Sequence, residues 1–370
     1  MGRKQTIKRR KIPITQLKVD GSTIKRIPSS LKPARTRKLI RRFHTLLKYR
    51  SEIFSHLSQN SGYEVNDKSY LEYLGTKPDL QKSYNKSKAK IMETLNVRRT
   101  APRNDENRSI QAITTLNIKQ LCNLIGEIDG EIEKRGGLKV YQAASIKGQD
   151  NKRGGDTSKK MVTWIKESKI WSSDSSKGKP MALEIGSLSS KNCISTCKLF
   201  EKVIRIDLNS QEPVKIQKQD FFDRPLPKSD KDKFDLISCS LVVNFVSKPK
   251  TRGEMLAKAT QFLKEPDTAF NQKPLLFFVI PLPCVTNSRY CNKEIIDTIF
   301  ENLGFECVNY YTSNKLAYWL LEWHGSKAIN LEFESKKKEI QSGSKRNNFS
   351  AHPIVTNTFR ALIRYIELFV

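Results

Sequence analysis

The spacing of apolar residues changes character twice along the chain. Residues 1–32 hold Pro13, Pro28 and many charges but no apolar period, which predicts an arm that stays disordered until bound. From Pro33 to about Leu57, the apolar positions Leu39, Phe43, Leu46, Leu47, Ile53, Phe54 and Leu57 recur at three- and four-residue steps, with Arg and Lys between them. That spacing predicts an amphipathic, strongly basic helix. A second helical period runs through Leu116, Ile118, Leu121, Leu124, Ile125, Ile128 and Ile132, and Gly136-Gly137 stops it. Asp156 or Thr157 is placed to cap a third helix through Met161, Val162, Trp164 and Ile165. A polar linker, Ser172 to Lys179, follows. Residues 33–179 are therefore expected to be a helical, basic accessory region.

After Pro180 short apolar runs alternate with helical stretches. Met181 to Gly186, Val203 to Leu208, a weaker Val214 to Gln219, Phe234 to Ser240 and Leu275 to Ile280 read as five strands. Residues 190–201, 252–264 and 293–303 read as helices between or after them. Phe305–Tyr311 and Lys315–Trp323 read as two strands joined by Thr312-Ser313-Asn314, a hairpin-length link. Strands alternating with helices imply an α/β domain with a doubly wound parallel sheet, covered on both faces, and the hairpin adds an antiparallel partner at one edge. Five such units followed by a hairpin resemble the plan of class I methyltransferases, a Rossmann-like fold. The domain is expected to span 180–325, with 326–370 as a C-terminal tail.

Charge adds a partner to this picture. The 370-residue chain carries a net +29, and residues 1–50 contribute 17 Lys/Arg against the single acid Asp20. A surplus concentrated in an arm is the electrostatic footprint of a polyanion. A nuclear-import segment is the blander reading of the same run. The seven cysteines form no zinc-type Cys-x-x-Cys pair, so no metal is expected and the thiols read as small core residues of a reduced compartment. The longest apolar stretch, Leu275 to Val285, is short and broken by Pro281 and Pro283, so no membrane partner is expected.

In an open α/β sheet, ligands bind beyond the carboxyl ends of the strands, near the switch in strand order. The first strand ends at Glu184-x-Gly186, where glycine lets a ligand approach the backbone. The second ends at Asp207, whose carboxylate suits a ribose diol, and the third at Gln219-Asp220-Phe221, near enough for an adenine amino group and ring. The fourth ends at Ser238 to Phe245, on the substrate side, with Ser240 or Asn244 as a candidate oxygen and Asn244 as the candidate catalytic residue. Each has a plainer alternative: Glu184 bridging local amides, Asp220 capping a turn, Asn244 a loop residue. Gly186 is followed by Ser187-Leu188-Ser189 rather than more glycines. Asp207 lies 21 residues beyond Gly186, a spacing that suits either a nicotinamide dinucleotide or S-adenosylmethionine, and the strand plan favours the latter. His44, His56, His324 and His352 fall outside the strand tips, and no nucleophile or nucleotide-loop motif is present.

Several longer stretches carry a family resemblance. They include Gly137-Leu138-x-x-Tyr141-Gln142-x-Ala144-Ser145-x-x-Gly148-Gln149, Arg153-Gly154-Gly155-Asp156, Leu183-Glu184-Ile185-Gly186, Arg205 to Gln211, Gln219-Asp220-Phe221, Arg224-Pro225-Leu226-Pro227, Leu241 to Val246, Arg252 to Leu256 and Pro283 to Tyr290. With them, residues 110–350 resemble the fungal 25S ribosomal RNA adenine-N1 methyltransferase family, whose animal relatives are S-adenosylmethionine sensors of TOR signalling. The resemblance implies S-adenosylmethionine as cofactor, held at Gly186 and Asp207; the strand tips add Glu184 and Asp220 as further cofactor-binding candidates. It also implies large-subunit ribosomal RNA as partner and a nuclear, nucleolar location. A non-catalytic sensor is the alternative. In that family the chain usually stops soon after the equivalent of Asn347-Asn348-Phe349, whereas this one continues to Val370.

Overall fold

The computed structural model describes residues 33–95, 113–137, 140–141, 155–168, 170–171, 178–210, 212–266 and 273–353. The basic arm 1–32 and the extension 354–370 lie outside them. Two units are built from different patterns. The first is helical: α1 (Pro33–Ser61), α2 (Tyr70–Gly75), α3 (Pro78–Thr94) and α4 (Ile118–Lys134). The apolar stripe of α1 buries Leu46, Ile53, Phe54 and Leu57 against Leu121, Cys122 and Ile125 of α4, so the 3.6-residue period is spent on a core, as read from the sequence. Asn117 caps α4, with a reciprocal bond from Gln120.

The helices α2 and α3 have no counterpart in the apolar pattern, because the contact of α3 with α4 is made by backbone. A Cβ on Gly126 would sit 2.4 Å from the Tyr84 carbonyl oxygen, and one on Gly130 would sit 2.8 Å from that of Lys88. Two glycines four apart let the helices touch without an apolar stripe on α3, where Tyr84 is the buried residue. Buried charges join the same helices. Asp129 accepts from Arg50 (2.8 Å) and from the hydroxyls of Tyr70 and Tyr84 (2.9 Å each). Glu131 accepts from Arg42 at 2.7 and 2.6 Å and from Arg135 at 2.7 Å.

The second unit is a seven-stranded sheet: β1 (Met181–Ile185), β2 (Lys202–Asp207), β3 (Gln217–Lys218), β4 (Leu236–Ser240), β5 (Leu275–Pro281), β6 (Phe305–Thr312) and β7 (Leu316–Trp323). Its order is β3-β2-β1-β4-β5-β7-β6. β1 to β5 pair in parallel, and β7 lies antiparallel between β5 and β6. The expected doubly wound α/β sheet with an edge hairpin is therefore present. The hairpin folds back, so that its second strand docks on β5, with Phe278 opposite Trp319, and its first strand forms the edge.

One face of the sheet is covered by α5 (Ser158–Ser168), whose Met161, Val162, Trp164 and Ile165 pack with Ala182, Leu236 and Phe277. The other face carries Met255 and Leu256 of a helix at Pro249–Thr260 and Ile296, Ile299 and Phe300 of one at Lys293–Asn302. Phe349 and Ala351 join this second core, and Arg252 donates to the carbonyls of Val246, Ser247 and Ser350. The packing thus carries the α/β unit beyond the expected limits of 180 and 325 on both sides.

Two elements differ from expectation. The third strand is only two residues long: Val214 is 97% exposed, and Lys215 and Ile216 donate back to the Glu212 carbonyl, a turn that follows Pro213. The helix expected at 190–201 shrinks to Cys193–Thr196. Polar side chains around it bind outward, Ser190 to Glu212 and Asn192 to Glu184, and Lys198 takes a positive φ of 61° that ends it.

Candidate functional site

Strand order reverses between β1 and β4, so the loops after these strands splay apart at their carboxyl ends. A cavity of about 1010 Å³ opens there, roofed by the helical unit through Ile40, Leu47 and Ser51 of α1. Gly186, Asp207 and Asp220, three of the residues read as tips, all line it.

Gly186 turns the chain with φ +73°, and a Cβ there would lie 2.6 Å from Val242 Cγ2. The amides of Gly186 and Ser187 both donate to the Ile206 carbonyl, at 2.8 and 3.0 Å, which ties the loop to β2. Asp207, half-buried at the end of β2, accepts from the Asn209 amide at 2.8 Å. Its other oxygen has no hydrogen-bond partner among the described residues. Burial raises the Asp207 carboxyl above its usual range, against the Asn209 bond. One free, partly desolvated carboxylate oxygen at this depth is the acceptor a ribose diol requires. Asp220 accepts from the Phe222 amide at 2.8 Å, so the turn-capping alternative holds for one of its oxygens while the residue still lines the cavity. Phe221 is buried, its ring 5.4 Å from that of Phe262.

Glu184 sits one layer below. It accepts from Asn192 at 2.7 Å and from the Ser187 hydroxyl at 2.8 Å, so it does bridge its local loop. Burial pushes its carboxyl up to about 7, opposed by those two bonds, with Asp156 adding to the rise. A small polar cleft joins Glu184 to Asp156, Thr157, Asn192 and Ser240.

Of the two caps read for α5, Asp156 is the one whose side chain binds at its start, and it also reaches the loop after β1. Asp156 accepts from the amide and hydroxyl of Ser158 (3.0 and 2.6 Å) and from the Cys193 amide, which pins α5 to the loop after β1. Thr157 and Ser240 share a 2.8 Å hydrogen bond between hydroxyls, which ties the segment before α5 to the end of β4. Both line the cavity, as does Gly155. Asn244 is placed elsewhere: it lies in a short 3-10 turn, its Oδ1 buried without a partner, and it is not among the residues lining the cavity. Of the two oxygens read at the fourth tip, Ser240 lines the cavity, with Thr157, and Asn244 does not.

His324 directly follows β7, and it pairs with Glu306 rather than lining the cavity, while His44, His56 and His352 follow no strand. His44 nonetheless reaches the fourth tip from α1, its ring 4.3 Å from Phe245 and its Nε2 3.3 Å from the Tyr141 hydroxyl. Phe245 and Tyr141 line the cavity. No sequence signal joins these three, which come from separate segments.

The residues fit S-adenosylmethionine. Asp207 suits its ribose and Asp220 its adenine amino group. The turn at Gly186, which a side chain would fill, leaves room for its methionine portion. Residues 126–351 match the family described as 25S rRNA (adenine(2142)-N(1))-methyltransferase, Bmt2. A protein of Saccharomyces cerevisiae named 25S rRNA (adenine(2142)-N(1))-methyltransferase is 40% identical over 338 residues, covering 89% of this chain and 94% of its own. A 25S rRNA adenine-N(1) methyltransferase of Schizosaccharomyces pombe is 39% identical over 226 residues, 61% of this chain and 80% of its own. Among solved structures, a Burkholderia thailandensis 1,6-didemethyltoxoflavin-N1-methyltransferase with bound S-adenosylhomocysteine superposes with a TM-score of 0.36 at 9% identity, covering 49% of this chain and 86% of that one. On the extent of the family match and of its yeast relatives, this chain belongs to the Bmt2 family of 25S rRNA adenine-N1 methyltransferases.

Proposed function

We infer that the protein transfers the methyl group of S-adenosylmethionine to N1 of an adenine in 25S ribosomal RNA. The observation that carries this is the cavity at the β1–β4 switch, where Gly186, Asp207 and Asp220 share one space with the hydroxyls of Thr157 and Ser240. At about 1010 Å³ it stands at the upper end of ligand sites, which run to roughly 1,000 Å³, leaving room for a base beside a cofactor.

The bound cofactor supplies an electrophilic methyl on a sulfonium. We propose that Asp207 accepts from the ribose diol, that the free side of Asp220 accepts from the adenine amino group, and that the Gly186 turn admits the methionine portion. The acceptor N1 lies on the Watson–Crick edge, so the adenine enters unpaired or flipped from its helix. Its lone pair forms the N–CH3 bond as the C–S bond breaks, and the bonding pair leaves on sulfur. Positive charge passes from sulfur to the ring, and no base is needed to start the reaction. The protein's part is alignment and exclusion of water by α1 above the sheet. Ser240 and Thr157, their hydroxyls bonded to each other, line the same cavity.

The arm at 1–32 and the basic residues of α1 are proposed to hold the RNA phosphates, and the enzyme is proposed to work in the nucleolus, where large-subunit RNA is assembled. The direct test is incubation of the protein with labelled S-adenosylmethionine and unmodified 25S RNA, followed by mapping of the methyl group. Incorporation at an adenine N1 is expected. Tight cofactor binding without incorporation would make the protein a sensor, and neither would make it an assembly factor.

A further inference from the structure

The cavity contains more than the cofactor explains. In the strand order, β2 and β3 lie on one side of β1, and β4 and the β6–β7 turn on the other. Asp207 and Asp220 belong to the first side. On the second side the lining is Ser240, Phe245, Tyr141 from the segment after α4, and the Tyr311 to Tyr318 hairpin. Phe245 is 36% exposed, a large aromatic left open inside a roofed cavity. Tyr141 is fixed from behind: Phe43 of α1 stacks on its ring at 4.4 Å and 14°, and His44 meets it edge-on at 5.6 Å. Tyr141 and Phe245 stand nearly perpendicular, 81° apart with centroids at 6.2 Å. Two walls at right angles, each braced by α1, form a corner with one open aromatic face.

We propose that Tyr141 and Phe245, braced by Phe43 and His44, form the corner that receives the flipped target adenine and holds it while its N1 becomes cationic. The inference rests on the reading of the protein as an adenine methyltransferase and assigns the acceptor side of that same site. Three observations carry it. The corner lies beside Ser240, across β1 from the residues that suit the nucleoside of the cofactor. Aromatic faces stack any base, and a flipped base needs such a surface to replace the stacking it leaves behind. The corner also carries no charge of its own. Burial lowers the His44 imidazole to about 4, so it is neutral when the enzyme works. Neutral rings attract a developing cation through their π faces, whereas an imidazolium would repel it.

The test compares Phe245→Leu, Tyr141→Leu and Tyr141→Phe with the unaltered protein. The first readout is single-turnover methylation of unmodified 25S RNA. The second, independent of RNA, is calorimetric binding of 1-methyladenosine and of adenosine to the full chain in S-adenosylhomocysteine. Thermal melting checks the fold. Loss of the stacking face should lower methylation by roughly 5- to 150-fold, the range for one stacked base. S-adenosylmethionine affinity should stay within about twofold, and Tyr141→Phe should retain most activity. The unaltered protein should prefer the methylated, cationic nucleoside, and Phe245→Leu should lose that preference. Full methylation in folded Phe245→Leu and Tyr141→Leu would overturn the assignment while leaving the enzyme reading intact, and so would cofactor affinity falling in step with activity. Failure of the unaltered protein to methylate would instead strike the enzyme reading itself.

Discussion

Replacing Gly186 with alanine tests whether the turn after β1 is set by sterics. Two separable costs follow from the structure. At φ +73° an L-residue takes the left-handed conformation, which costs roughly 1–2 kcal/mol. The new Cβ would also lie 2.6 Å from Val242 Cγ2, about 1 Å inside the ordinary carbon–carbon contact of roughly 3.5–4 Å. Val242 is β-branched and stiff, so relief requires the β4 loop to move, at a cost of roughly 1–3 kcal/mol. The sum is about 2–5 kcal/mol, and S-adenosylmethionine affinity should fall with it, since both residues line the cavity. Val242→Ala removes the atom that clashes but leaves the φ. Urea unfolding of both single variants and the double variant, with cofactor binding by calorimetry, therefore forms a cycle. The double variant should be more stable than the sum of the two single effects by about 1–3 kcal/mol, the steric part alone. Strictly additive effects would refute the clash, and an unaltered stability in Gly186→Ala would refute both terms.

Asp207→Ala should weaken S-adenosylmethionine binding by roughly 10- to 150-fold, the value of a charge-assisted hydrogen bond, while the cofactor-free protein melts no lower, because burial already disfavours this carboxylate; equal affinity in calorimetry would remove Asp207 from the site. Glu184 is raised from 4.5 to about 7 on folding, so the folded state holds its proton more tightly than the unfolded one. Its contribution to stability is full below about pH 4.5 and is lost as pH rises toward 7, and Glu184→Gln should flatten that part of a melting-temperature profile. Deleting residues 1–32, which hold ten Lys/Arg, should weaken RNA binding and reduce the slope of log affinity against log salt by roughly 0.7–0.9 for each phosphate that is no longer neutralised; an unchanged slope would exclude the arm from the RNA interface. The deletion must stop before Pro33, since α1 lines the cavity from Ile40 and supplies buried residues from Phe43 onward.

What can be read from the sequence follows from how each part is stabilised. β5 is plain because both its faces are covered, so Leu275 to Ile280 are all buried and the run has no polar break. β3 is shorter than its sequence suggests because its two residues are exposed and are held only by pairing with Ile206 and Asp207. No side-chain pattern records such pairing. α3 is hidden for a related reason: its contact with α4 runs through the backbone beside Gly126 and Gly130, and close approach of this kind leaves no apolar stripe. Within the site, Gly186, Asp207 and Asp220 are legible because strand tips converge by topology alone. The His44–Tyr141–Phe245 cluster is not, because His44 and Tyr141 lie 97 residues apart and meet only when the helical unit closes on the sheet.

That closure also changes how the charge of the first fifty residues is to be understood. From the sequence, all 17 Lys/Arg read as one electrostatic footprint. In the fold, Arg42 is held by Glu131, and Arg50 by Asp129 and Asp67. Both partners are buried acids: losing Arg50 would leave Asp129 without a cation in the interior, a change that typically costs about 3–5 kcal/mol, whereas Glu131 would keep Arg135. These arginines hold α1 against α4, and through α1 they position Phe43, His44 and the roof of the cavity. Arg41, by contrast, is exposed and forms no ion pair among the described residues. The same helix therefore divides its positive charge by depth. Its inward arginines hold the site closed. Arg41, with the arm before it, would meet the polyanion, and the acceptor base would reach the corner at Tyr141 and Phe245 along the helix that braces it.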